Sequence, residues 1–339
     1  MRKLVWLLLF IFIVSMAFTA QLSFLLCPKS LNNPYWYAVE NGMNAAAKLI
    51  GVKAFFDAPV EADAAKQVQT IINYVVKGVN GIAISPNDAE AIKTAIKKAL
   101  DAGIPVITFD ADAAAGSGRY VYVGTNNYRG GWECGKLMVE LIKQQKPDDP
   151  EIKIAILTGG LAALNLNERI KGFKDYIEQH KDEIPGKITY VADPFPCDDD
   201  TARAIQIIAD VSKTYPDLDA WFMAGGWPLF VPVKTFTSAF GGPERTAELL
   251  IVSFDTLKEE LELVKQGYVD GLVGQRPFDM GFKSIMILYN MAVFGVEQTL
   301  GLLPTVNGDK IVDTGVDVVT KENVDEFLKL ADIIYKRNR

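Results

Sequence analysis

Residues 97–110 read Lys97-Lys98-Ala99-Leu100-Asp101-Ala102-Gly103-Ile104-Pro105-Val106-Ile107-Thr108-Phe109-Asp110, and their order decides the fold. Lysines and small apolar residues close a helix, Gly103 supplies the left-handed turn after it, and Pro105 forbids its continuation. Residues 105–109 then run apolar at nearly every position, as in a strand covered on both faces. The run stops on an acidic residue, Asp110. A helix delivered through glycine into such a strand is half of a βαβ unit, the connection that parallel strands require.

The same alternation extends both ways from this point. Residues 21–27, 52–56, 81–85, 105–109 and 120–124 read as strands, with helical periodicity over 35–50, 62–77 and 89–102 between them. A polar stretch, Gln144-Gln145-Lys146-Pro147-Asp148-Asp149-Pro150, has the composition of a surface connection. After it a second series repeats the pattern, with strands at 152–158, 187–192, 220–224, 249–254 and 271–275 and helices near 168–180, 201–213 and 257–266. The chain is therefore α/β with two similar lobes built on parallel sheets.

The amino terminus carries an address. Arg2-Lys3, an apolar run over 4–18 and small residues at Ser15, Ala17 and Ala20 have the layout of a secretory signal peptide, with cleavage expected after Ala17 or Ala20. The working protein is expected outside the cytoplasm, periplasmic or extracellular. With 339 residues, 49% of them hydrophobic, the chain can bury a large core. Its charge is −7, and −9 (33 basic, 42 acidic) without Arg2 and Lys3, which argues against nucleic acid as a partner. Cys27, Cys134 and Cys197 are too few for a disulfide framework, though their spacing leaves one bridge open. Cys27 lacks the small residues of a lipoprotein site before it and reads as a buried strand residue.

Open α/β sheets collect ligands at the carboxyl ends of their strands. The first strand here is followed by Lys29-Ser30-Leu31-Asn32-Asn33-Pro34-Tyr35-Trp36, the fourth by Asp110-Ala111-Asp112, and the second series by Asn165 and Arg169, Trp227, Asp255 and Gln275. Flat aromatics beside carboxylates, amides and one guanidinium suit a sugar, whose C–H faces take rings and whose hydroxyls take planar polar groups. Taken singly, each has a plainer use: Tyr35 and Trp36 as core, Asp110 and Asp255 as helix caps, Arg169 as a solvated or paired cation. Their joint position at strand ends favours the binding role.

These residues also carry a likeness. Leu31-Asn32-Asn33-Pro34-Tyr35-Trp36, Gly78-Val79-Asn80-Gly81-Ile82-Ala83-Ile84-Ser85-Pro86, residues 103–110, Asn165 with Arg169-Ile170-Lys171-Gly172-Phe173, Phe254-Asp255 and Gly274-Gln275-Arg276-Pro277 together resemble the ribose/galactose-type periplasmic sugar-binding proteins, the type I solute-binding proteins of ABC importers. The resemblance extends to the glucose- and xylose-binding members of thermophiles. The resemblance implies two Rossmann-like lobes joined by three crossings near Thr125, Gln275-Arg276 and Gly315-Asp317. It places 21–124 plus 276–316 in one lobe and 125–275 plus 317–339 in the other, after a signal peptide at 1–20. It implies a monomer that binds a neutral hexose or pentose, closes on it and delivers it to the membrane subunits of an importer, with no cofactor, metal or catalysis. Asn33, Asp110, Asn165, Arg169, Asp255 and Gln275 would hold hydroxyls, with Asp112 beside them, and Tyr35 and Trp36 would form an aromatic floor. Where many relatives have asparagine or Asn-Asp, this chain has Gly225-Gly226-Trp227, which exchanges a polar ligand group for a ring. Cys197 likewise stands near a position often aromatic, so that wall is expected to be remodelled.

Other motifs carry less. Gly130-Gly131-Trp132-Glu133-Cys134-Gly135-Lys136 matches part of a P-loop, but Leu137 replaces the magnesium-holding Ser or Thr and a helix is already under way near Tyr128. Asp198-Asp199-Asp200 reads as an acidic helix start. His180 is the sole histidine, too few for a zinc site or histidine triad. The competing functions are a receptor of the same fold for a signalling or chemotaxis ligand and a secreted glycosidase, whose paired carboxylates would stand about 5 to 9.5 Å apart. A sugar-responsive repressor is disfavoured by the signal in place of a DNA-binding helix-turn-helix.

Overall fold

A computed structural model describes residues 21–336. Residues 1–20, where a signal peptide is expected, lie outside the described residues. Two sheets organise the chain. The first contains β1 (Ser23–Cys27), β2 (Lys53–Phe56), β3 (Gly81–Ile84), β4 (Val106–Phe109), β5 (Tyr122–Gly124), β12 (Thr305–Val306) and β13 (Asp309–Asp313), in the order β12-β13-β5-β4-β3-β1-β2. From β13 to β2 every pairing is parallel, with Leu25 opposite both Phe55 and Ile82. All residues of β3 and β4 are buried, as their near-continuous apolar runs require.

The second sheet repeats the plan. Here β6 (Glu151–Thr158), β7 (Lys187–Tyr190), β9 (Ala220–Met223), β10 (Leu250–Phe254), β11 (Gly271–Gly274) and β14 (Asp317–Thr320) lie in the order β14-β11-β10-β9-β6-β7, and β8 (Phe195–Pro196) pairs with the far end of β6. Only β14 runs antiparallel, against β11. The two-residue β8, the terminal strands β12 to β14 and all structure after residue 276 lie beyond the strand pattern read from sequence.

Local chemistry explains the helix limits. Helix α1 (Trp36–Ile50) stops at Gly51 with φ 72°, and α2 (Ala64–Lys77) starts on Asp63, whose side chain accepts from the Lys66 N–H, and stops at Gly78. α3 (Lys93–Asp101) begins later than its periodicity suggested, because Asp88 Oδ1 accepts from the Glu90 and Ala91 N–H groups and holds that stretch as a turn.

The helices after β5 and β11 change lobes. α4 (Asn127–Gln145) leaves the first sheet and packs on α5 (Leu164–Gln179), while α10 (Pro277–Phe294) leaves the second and packs on α1. Both crossings are glycine contacts. A Cβ on Gly131 would fall 1.9 Å from Arg169 O and one on Gly172 2.0 Å from Tyr128 O; Gly42 and Gly281 meet Phe278 O and Val39 O at 2.0 Å. Gly131 of the P-loop-like stretch is thus a helix-packing residue in mid-helix. With the step from β13 to β14, the chain passes between the sheets three times. All three cysteines are buried free thiols.

Candidate functional site

The two sheets turn the carboxyl ends of their central strands to a common chamber. Its lining comprises Lys29, Ser30, Asn33, Tyr35, Trp36 and Asp110 from the first lobe and Asn165, Leu166, Arg169, Asp199, Gly225, Trp227, Asp255 and Gln275 from the second.

The lobes place equivalent carboxylates symmetrically. Asp110 follows β4 and donates its N–H to Val123 O at 3.1 Å; Asp255 follows β10 and donates to Val273 O at 3.1 Å. Both have left-handed backbones, φ 59° and 77°, and so does Asp199 at 57°. Such conformations cost a non-glycine residue about 1–3 kcal/mol and concentrate at functional sites. In each case the turn delivers a carboxylate to the chamber.

The remaining contacts hold these groups in place. Asp110 accepts from Ser85 Oγ at 2.7 Å and from Tyr35 Oη at 3.3 Å, and Gln275 Nε2 donates to Asp255 Oδ1 at 2.8 Å. Arg169 is 2% exposed. Its Nε donates to Asn127 Oδ1 at 2.9 Å, its Nη1 to Ala224 O at 2.8 Å, and its guanidinium lies 4.1 Å above the Phe254 ring. Asn165, in the first turn of α5, accepts from Lys29 Nζ at 3.2 Å, a bond between lobes. Asn33 Oδ1 accepts from the Tyr35 N–H and fixes the turn into α1. Trp36 stands edge-on to Tyr35 and Phe109 and belongs to the first lobe's core as well as the lining.

The Gly225-Gly226-Trp227 departure has a packing reason. A Cβ on Gly225 would stand 2.6 Å from the Trp227 ring, one on Gly159 2.8 Å from the same ring and 2.1 Å from Asp199 Oδ1, and one on Gly226 1.9 Å from Glu260 Oε1. The glycines let the indole lie flat over the ends of β6 and β9.

Burial dominates the electrostatics. Lys29 and Arg169 oppose Asp110, Asp199 and Asp255. Burial raises the pKa of Asp255 against the opposing pull of Arg169, and raises that of Asp199 against Lys29. The near balance of two cations and three carboxylates, two of them shifted toward neutrality, suits an uncharged ligand. Four buried lining atoms have no hydrogen-bond partner within the protein: the donors Trp36 Nε1 and Arg169 Nη2 and the acceptors Asp199 Oδ1 and Gln275 Oε1. Buried polar atoms are seldom left so, and four around one chamber ask for a ligand that both donates and accepts.

Nine of the ten residues expected from sequence line this chamber. Asp112 does not, and that expectation is corrected: its carboxylate is taken by Arg119, through Nε at 2.9 Å and a short Nη2 contact, and by Thr108 Oγ1 at 2.6 Å. Nearness to a strand end does not fix a side chain's direction. Lys29, Ser30, Leu166, Asp199 and Gly225 were missing from the expected set. Asp199 was hidden inside Asp198-Asp199-Asp200, read as a helix start. Only Asp200 has that capping role, accepting from the Arg203 N–H at 2.7 Å.

Residues 24–295 match the model of the periplasmic binding protein domain. The ribose import binding protein of Bacillus subtilis is 25% identical over 248 residues, covering 73% of this chain and 74% of its own length. A solute-binding protein of an ABC transporter from Burkholderia graminis, solved with D-arabinose, is 32% identical with a TM-score of 0.76, covering 89% of this chain and 96% of that one. A glucose-galactose binding protein from Geobacillus stearothermophilus has 26% identity and a TM-score of 0.76, with 90% and 99% covered. Match, symmetry and two-sheet topology agree, and the chain belongs to the periplasmic binding protein domain family, in its ribose/galactose-type, type I branch.

Proposed function

We propose that this protein captures one neutral pentose or hexose in the chamber between its lobes, outside the cytoplasm, and hands it unchanged to the membrane subunits of an ABC importer. The observation that carries the reading is the set of four unpartnered buried atoms, two donors and two acceptors, on residues that line one chamber between the lobes. A hydroxyl can accept from Trp36 Nε1 or Arg169 Nη2 while donating to Asp199 or Gln275, which a bare metal cation or a hydrocarbon cannot do. Asn33, Asp110, Asn165, Arg169, Asp255 and Gln275 hold hydroxyls in this reading, joined by Lys29 and Asp199, while Trp36, Tyr35 and Trp227 cover the sugar's C–H faces. The chemistry of the lining and the sugar-binding relatives support it.

The lobes in this reading are 21–124 plus 276–316 and 125–275 plus 317–336, hinged at the three crossings. Binding groups come from both, so a ligand favours the closed arrangement by contacts that an open one lacks. The apolar amino-terminal segment serves export. A thermal-shift screen tests the proposal. At a hundredfold excess over Kd a ligand adds about 2.7 kcal/mol, roughly 3–5 °C in Tm for a chain of this size. D-Ribose, D-xylose, D-arabinose, D-glucose and D-galactose form one arm, charged amino acids and divalent cations the other. A shift confined to the second arm overturns the reading.

A further inference from the structure

The carboxyl-terminal helix reaches back across the cleft. α12 (Val324–Ile334) packs along α9 (Lys258–Gln266) of the second lobe, where Lys258 Nζ meets Asp332 Oδ1 at 2.7 Å and Lys265 Nζ meets Asp325 Oδ1 at 2.8 Å. Beyond it the chain is held by the other lobe. Asn41, on α1 of the first lobe, donates from Nδ2 to both Ile334 O and Lys336 O, each at 2.9 Å. Tyr335 lies between those carbonyls and packs against the apolar clusters of both lobes, as Phe230 does; Leu257, which follows β10, is counted in the first lobe's core. The Tyr335 hydroxyl is buried close enough to Asp255 and Glu260 for their charges to act on it.

These contacts join the lobes without a covalent crossing. The hinge crossings persist whatever the lobes do, whereas two hydrogen bonds and a wedged ring must break when the lobes part. We propose that residues 334–336 form a strap, with Asn41 as its buckle and Tyr335 as its wedge, which biases the protein toward closure before any ligand arrives. A strap of this kind raises apparent affinity by lifting the fraction of binding-competent protein, with no contact to the ligand.

Spin labels read the effect directly. The three native cysteines are buried, so labels attached through Val60→Cys and Leu161→Cys, exposed positions after β2 and β6, report the separation of the cleft lips. In unliganded protein, Asn41→Ala and a chain ended after Ile334 should each move the distance distribution toward longer values. Loss of both hydrogen bonds in Asn41→Ala corresponds to roughly fivefold to 150-fold in the closing equilibrium, and affinity for any sugar the parent protein binds should fall by up to that factor. Lys265→Ala, which loosens α12 only within its own lobe, should leave the distances unchanged. Unchanged distances in both strap variants, or an equal shift in Lys265→Ala, overturn the strap. Because the distances are read without ligand, a shift with no sugar bound keeps the strap and rejects the sugar reading instead.

Discussion

Replacing Arg169 by methionine keeps an unbranched apolar stem over the Phe254 ring and removes the guanidinium. In the parent protein that group donates to Asn127 and Ala224 and leaves Nη2 to the chamber. Loss of a buried charged donor costs a complex about 2–5 kcal/mol, or roughly thirtyfold to several thousandfold in Kd. It also leaves Lys29 as the single lining cation against Asp110, Asp199 and Asp255. Stability changes separately. Asn127 Oδ1 and Ala224 O lose a donor, at about 1–3 kcal/mol for each left unsatisfied, partly offset by the apolar replacement, so Tm of the unliganded protein should fall by several degrees. Arg169→Lys should fall between, since one ammonium cannot serve three directions. Titration calorimetry with the best-binding sugar, beside a circular-dichroism melt of each variant, reads both quantities. If Arg169→Met binds within threefold of the parent while its Tm falls as described, the guanidinium is a structural tie and the assigned role is wrong.

Trp36→Phe separates the ring's two roles. It keeps most of the packing against Tyr35 and Phe109 but loses the Nε1 donor, so affinity should drop by about 1–2 kcal/mol with little change in Tm; a drop in Tm alone would make Trp36 a core residue only. Asp112→Asn should leave sugar affinity within twofold of the parent in the same calorimeter, because Arg119 and Thr108 already engage that carboxylate; a tenfold loss would return it to the site. Glu260 is fully buried, and burial holds its carboxyl well above the usual glutamate range. Its folded form therefore binds the proton more tightly than the unfolded chain, so its contribution is greatest at low pH and is lost as pH rises from about 4.3 toward the raised folded value. Glu260→Gln should flatten that slope in Tm measured from pH 4 to 8, and an unchanged slope would assign it to another group.

The fold was legible wherever burial on both faces left a near-continuous apolar run, as in β3, β4 and β10, and wherever glycine ended a helix, as at Gly51 and Gly78. It was illegible where an element is short or edge-placed: β8 has two residues and β12 is exposed. The long α10 gave no clear stripe because it packs against α1 on one side and against β3, β4 and β5 on another, leaving few positions polar. In the site, Asp110 and Asp255 stood out as polar residues closing apolar runs. Asp199 did not, since its neighbours supply the same charge for other reasons: Asp198 pairs with Arg203 and Asp200 caps a helix. Asp112 misled because Arg119, which claims it, arrives from seven residues further on, beyond what a strand-end rule can see.

The central claim, reversible capture of a neutral monosaccharide without chemical change, is tested most directly by titrating the full mature protein calorimetrically with each of the five sugars and analysing the recovered ligand. The account predicts saturable heat at one sugar per chain for at least one of them, abolished or strongly weakened in Arg169→Met, and a sugar recovered intact. No heat from any neutral monosaccharide, or a sugar returned as a different compound, would contradict it.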